Sequence, residues 1–181
     1  SRMSTLEVNT VDSVSGTSNL TIGSGNSSQI TLKSGATLTN FPENTPAFLV
    51  KKSSNQTIAS ATTTLITWDT EVYDTNSAFG TNSFTVPSGH AGKYIIYCTI
   101  HLQGGSADNY FMNQIMVNNT LTQYNILRFV GSGGINNNIV ASLDLSVGDY
   151  VTIKVLHNTG SNKDIDYNKL TWFGGYRIIG A

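Results

Sequence analysis

The sequence is short of charge. Asp, Glu, Lys and Arg together make up 12% of its 181 residues, about half the share usual in a soluble domain. The formal net charge is −1, and no basic run is longer than Lys51-Lys52. The long-range attraction on which nucleic-acid binding depends is therefore missing, and nucleic acid is not an expected partner. With a single cysteine, Cys98, the chain cannot form an internal disulfide. No apolar stretch approaches the roughly 20 residues of a membrane-spanning helix, so membrane insertion is not expected. A Gly-x-y repeat is also missing, which excludes a collagen stalk. Helical periodicity is absent as well: no window of a dozen residues keeps an apolar stripe at helical spacing.

The signatures of catalysis are equally sparse. His90, His101 and His157 stand in no His-x-x-x-His or Cys-x-x-Cys context that would give zinc spacing. There is no Gly-x-Ser-x-Gly elbow and no Gly-Lys-Ser/Thr phosphate loop. The 11 acidic residues lie mostly in turns, poor material for the paired carboxylates of a glycosidase. Cys98 sits mid-strand among apolar neighbours and reads as a buried, inert thiol. The chain is expected to be non-enzymatic and to need no cofactor.

What remains is the composition of a β protein. Apolar residues make up 39%, enough for a sizeable core, and Ser, Thr and Asn fill much of the rest. Thr packs well on a pleated surface, while Asn and Ser close turns. From Ala47 onward ten strands are predicted: 47–51, 65–68, 71–73, 83–86, 92–102, 110–117, 120–129, 138–145, 150–155 and 170–179. Turn chemistry separates them at Pro87-Ser-Gly89, Asn118-Asn119 and Val147-Gly148-Asp149. After Gly92 the period is two. Tyr94, Ile96, Cys98 and Ile100 share one face, with Ile95, Tyr97, Thr99 and His101 on the other. Both faces are largely apolar or aromatic, so this strand is expected to be covered on both sides. Val151, Ile153 and Val155 form a further inward row. Many short strands at this spacing argue for a sandwich or barrel.

Residues 1–46 differ in character. Units such as Leu20-Thr-Ile22, Ile30-Thr-Leu32 and Ala36-Thr-Leu38 are cut by Gly and Ser, and no aromatic appears before Phe41. One such strip cannot bury enough surface alone, but three wrapped about one axis could. A short N-terminal β-stalk or attachment segment is therefore expected, with the head domain at 47–181. Ser1-Arg2 reads as a cloning remnant, with Met3 as the expected native start. The N-terminus lacks the basic and apolar regions of a signal peptide.

Several local patterns follow one another along the head. They are Ala47-Phe48-Leu49-Val50, Ile66-Thr-Trp68-Asp69, Glu71-Val-Tyr73-Asp74, Phe84-Thr-Val86-Pro87 and Gly92-Lys-Tyr94. Later come Gly148-Asp149-Tyr-Val151 and Trp172-Phe173-Gly174-Gly175-Tyr176-Arg-Ile178. In order and spacing this set resembles the C1q/TNF-like domain. One departure is Ile96, where that family usually carries an aromatic residue. The resemblance implies an all-β, ten-stranded jelly-roll sandwich assembled as a homotrimer. Gly174 and Gly175 inside a strand fit a bulge or a close approach at a subunit contact. The opening Met3-Ser-Thr-Leu-Glu-Val resembles the start of small virion proteins of marine phages, and the punctuated segment resembles parts of phage fibres.

The function expected from this is a trimeric bacteriophage virion component, a fibre or surface knob. It would be made in the host cytoplasm, joined to other virion proteins through its N-terminal segment, and able to touch a host receptor or glycan. The alternatives are a purely structural capsid or tail decoration trimer, or a secreted extracellular C1q-like ligand or lectin. Candidate receptor contacts are the loop aromatics and amides Tyr73, Asp108, Asn109, Tyr110, His157 and Tyr167. The candidate calcium ligands are Asp164, Asp166 and Asn168, because oxygens alternating at this spacing can surround the ion.

Overall fold

A computed structural model of the chain describes Ser34 and residues 43–168 and 171–179. The segment read as a stalk lies almost wholly outside these residues. The described strands are β1 (Ala47–Lys51), β2 (Gln56–Ile58), β3 (Thr64–Leu65), β4 (Thr70–Asp74), β5 (Phe79–Gly80), β6 (Ser83–Thr85) and β7 (Gly92–Gly105). They continue with β8 (Tyr110–Val117), β9 (Thr120–Arg128), β10 (Gly133–Leu145), β11 (Tyr150–His157), β12 (Lys163–Ile165) and β13 (Trp172–Arg177). No helix occurs among the described residues. The reading of ten strands undercounts, because β2, β5 and β12 are only two or three residues long. Segments that short leave no detectable alternation.

The strands form two antiparallel sheets. The first runs β10-β7-β13-β1-β4, with β12 and β2 continuing from the far end of β7; the second runs β5-β6-β11-β8-β9, with β3 on β11. The longest pairing is β7 with β10, from Leu145 opposite Gly92 to Gly133 opposite Gly105. β8 and β9 are joined by Asn118-Asn119, both at positive φ (50° and 63°). A two-residue hairpin loop needs that conformation, and asparagine tolerates it better than most residues.

Between the sheets the inner residues close into one core, with an aromatic cluster toward one edge. The Phe48 ring stacks on Phe84 at 4.7 Å and meets Phe173 edge-on at 5.0 Å. Trp68 and Phe79 complete the group. The opposite edge, where β9 of one sheet meets β10 of the other, is closed by asparagine side chains. The Asn137 amide donates to the carbonyls of Phe111 (3.0 Å) and Asn125 (2.9 Å), while Asn125 donates to the Asn137 side-chain oxygen (3.0 Å) and the Asn138 carbonyl (2.9 Å). Asn113 adds a bond to the Asn137 carbonyl. Buried amides of this kind are tolerated because they satisfy backbone groups that cannot pair at the junction of two sheets.

Candidate binding surface

The outer face of the first sheet is the most unusual surface of the domain. Strand register places Val140, Tyr97, Gly174, Leu49 and Tyr73 in one row across five strands, and Ser142, Ile95, Tyr176 and Ala47 in the next. Trp172 stands beside Thr99 in the row beyond. These side chains are not covered within the protomer: Trp172 and Tyr176 are each 39% exposed, Tyr73 43% and Val140 63%. The expectation that β7 is covered on both sides is therefore met on one face only. Tyr94, Ile96, Cys98, Ile100 and Leu102 are buried, while Ile95, Tyr97, Thr99 and His101 are half-exposed.

Glycine keeps this face flat. A Cβ on Gly174 would stand 2.6 Å from the Tyr97 ring, so the ring lies directly across the Gly174 backbone. The Tyr97 hydroxyl lies near Tyr73 and is pushed up to about 12. Partial burial is the main cause, followed by Tyr73 and then Tyr176. Its neutral form is thus favoured, and the row presents aromatic surface without charge.

The candidate loop residues fall in three places. The chain enters and leaves the head at one end, where Arg177 N–H bonds the Pro46 carbonyl and Ile179 N–H bonds the Asn44 side chain. Asp108, Asn109 and Tyr110 come together at the opposite end of β7. There Tyr110 N–H donates to the Asn158 side chain (2.6 Å), Asn109 donates to the Asn158 carbonyl (3.4 Å), and Phe129 N–H donates to the Asn109 carbonyl (2.9 Å). Asp108 is exposed, with positive φ (71°), and Asn109 and Tyr110 are half-buried. Tyr167 is exposed beyond β12. Tyr73 belongs to the sheet face rather than to a loop.

His157 corrects the sequence reading. It is 0% exposed and closes the inward row of β11. Its Nε2 donates to the Ile58 carbonyl (3.2 Å), and Nδ1 accepts from Thr159 N–H (3.4 Å). Burial pulls its pKa below the usual histidine value. It can make no receptor contact from this position, because β11 runs two residues further than expected.

The calcium candidates are also drawn into internal bonding. Asp164 accepts from the Thr57 hydroxyl at 2.7 Å, linking β12 to β2. Asp166 is buried, and its oxygens accept from Gln103 (2.9 Å) and from the Asn168 backbone (2.8 Å). Asn168 itself is exposed. Among the described residues no group of three or more His, Cys, Asp or Glu is placed to hold a metal ion.

Ile95, Tyr97, Trp172 and Tyr176 were not singled out from the sequence as site residues. Their signal was present in the apolar outer row of β7 and in the aromatics flanking Gly174-Gly175. No family model matches the chain, and no curated protein matches it. Among solved structures it is similar to the globular domain of zebrafish complement 1qA protein. That match has a TM-score of 0.52 and 18% identity, over 74% of this chain and 97% of that one. The described head thus shares the two-sheet fold of the C1q globular domain.

Proposed function

We propose that the chain is a non-enzymatic head module that works as a homotrimer, its subunits joined through the outer face of the first sheet. The observation that carries this reading is the exposed aromatic cluster of Tyr73, Tyr97, Trp172 and Tyr176, spread over three adjacent rows of the sheet around Gly174. Contiguous apolar surface of this kind marks an interaction site. A second copy is its occupant because the fold also supplies an unlike apolar patch. The β9 edge exposes Leu121, Tyr124 and Ile126, and closed threefold rings join unlike patches. The likeness to the C1q domain supports the same reading.

In its finer form, the proposal makes the head a virion fibre or surface knob, attached by the segment before Pro46. Its free end is then the Asp108–Tyr110 and Asn158 loop cluster, opposite the point where the chain enters. Three copies on one rigid head would bind a repetitive host surface with avidity. The fold likeness favours a second reading, a secreted C1q-like ligand of a cellular organism. Detection of the chain in purified particles selects the first; its recovery from cell secretions selects the second.

Solution mass by light scattering tests the assembly. The full chain is expected at three times its monomer mass at micromolar concentration, and Trp172→Glu with Tyr176→Glu is expected to run as a folded monomer. A wild-type monomer at that concentration would overturn the proposal.

A further inference from the structure

The subunit contact proposed above joins two unlike patches, and a closed ring constrains where they sit. Rotation about a threefold axis leaves height along that axis unchanged, so the two patches must lie at one level. In a head attached at one end, all three chains enter from the same side, and the axis follows the strands. Level can then be read from strand register.

On the outer face of the first sheet the levels are rows. From the free end they are Asn136 with His101, then Asn138 with Thr99 and Trp172, then Val140 with Tyr97 and Gly174. The other patch lies on β9 in the second sheet, and no ladder joins β9 to β10. Asparagine joins them instead. The Asn125 carbonyl accepts from the Asn137 amide, and the Asn125 amide donates to Asn137 Oδ1 and the Asn138 carbonyl. Asn125 is thereby held beside Asn137 and Asn138. One step toward the free end brings Ile126 to the His101 row, and one step back brings Tyr124 to the Trp172 row.

Leu121 would face inward by simple alternation from Tyr124. The β8–β9 ladder slips there, with Ile115 opposite Gln123 but Met116 opposite Leu121. The extra residue, Thr122, re-aims Leu121 to the exposed side, at the level of the Tyr97 row. Apolar side chains could close this edge without leaving the buried Asn113 Oδ1 unpaired. Apolar contact is non-directional, however, and permits sliding. Amide bonds specify one setting, and registry is the best-attested use of buried polar groups.

We infer that the asparagine seam is a register device for assembly. Asn125 and Asn137 hold β9 where Ile126, Tyr124 and Leu121 of one copy meet the rows of His101, Trp172 and Tyr97 in the next. The inference rests on the trimeric reading, and both asparagines act as positioning residues that need touch no other subunit.

Paired cysteines in the full-length chain test it, since the native Cys98 is buried. Ile126→Cys with His101→Cys, and Leu121→Cys with Tyr97→Cys, are level pairs. Ile126→Cys with Tyr97→Cys, and Leu121→Cys with His101→Cys, are offset by two rows, about 13 Å. With a short bis-maleimide, level pairs are expected to give covalent trimer on denaturing gels about tenfold faster than offset pairs. Asn125 is half-buried, so Asn125→Ala is expected to fold, verified by an unchanged circular dichroism spectrum, and to reduce that preference to about twofold. A seam that only stabilises the fold would lower the melting temperature of Asn125→Ala and leave the preference intact. That result, or offset pairs that react as fast as level ones, overturns the inference while the trimer stands. A wild-type monomer by light scattering overturns the trimer and the inference together.

Discussion

The two faces of β7 both carry apolar and aromatic side chains and have opposite fates. Inward, Tyr94, Ile96, Cys98, Ile100 and Leu102 meet the second sheet and lose essentially all contact with water. Outward, Ile95 and Tyr97 meet only their neighbours on the same sheet, beside the exposed Trp172 and Tyr176. A single protomer has no second layer for that side. The contrast teaches that alternation identifies apolar faces without saying whether a face is covered by its own chain or by another. Adjacent residues of β13 test this most strongly. Phe173 packs inside on Phe48 and Trp68, so Phe173→Ala is expected to cost about 3–5 kcal/mol of unfolding free energy. Trp172→Ala is expected to cost the dissociated chain about 1 kcal/mol or less, while shifting the assembly toward monomer. Urea unfolding at two protein concentrations, read beside solution mass, separates the two effects. Equal losses of stability in both variants would show that the faces do not differ as described.

Neighbouring glycines sharpen the same comparison at a smaller scale. A Cβ on Gly175 points inward, 2.6 Å from Ile96 Cδ1 and 2.9 Å from the Ile95 carbonyl. Backbone cannot give way cheaply, so Gly175→Ala is expected to lose about 1–3 kcal/mol. On Gly174 the atoms nearest the Cβ belong to the far end of the Tyr97 side chain, which can swing outward. Gly174→Ala is therefore expected to leave thermal unfolding of the dissociated chain nearly unchanged and to weaken assembly by displacing the Tyr97 ring. The pair is compared by calorimetry and by sedimentation. A Gly174→Ala protein that assembles like the wild type would remove Tyr97 from the interface.

Much of this architecture could be read from the residues alone, for reasons that also set the limits. The period of two after Gly92 located β7 and its inner row, and Asn118-Asn119 located the β8–β9 hairpin. The position of His157 was available too, since Val151, Ile153, Val155 and His157 continue one inward row of β11. The expected strand stops two residues short, at Val155, because the Asn158-Thr159-Gly160 turn signal follows so closely. Other features depend on pairings that no local pattern encodes. Thr57 and Asp164 bond across the sheet from opposite parts of the chain, and each sits in a three-residue strand. Asn113, Asn125 and Asn137 have turn propensity, yet they seal an edge because two strands of different sheets meet there.

The smallest differences are expected at the two ends of the pH scale, where each face holds one group displaced by burial. Inside, His157 has its pKa lowered, chiefly by desolvation, from 6.5. The unfolded chain takes up that proton first, so stability is expected to fall as pH drops below 6.5 toward the lower folded value. His157→Gln, which keeps a donor for the Ile58 carbonyl, is expected to flatten this limb. On the outer face Tyr97 is displaced the other way, from 10.0 to about 12. Its contribution is complete below pH 10 and is lost as pH rises from 10 through about 12, because the unfolded chain ionises first. Tyr97→Phe is expected to flatten that alkaline limb alone. Assembly would bury Tyr97 further and raise its pKa again, so only the alkaline limb should steepen with protein concentration. Denaturation midpoints at a few pH values and two concentrations decide the point. If the alkaline limb is as insensitive to concentration as the acid one, Tyr97 faces water in the working state and the outer row of β7 is not where subunits meet.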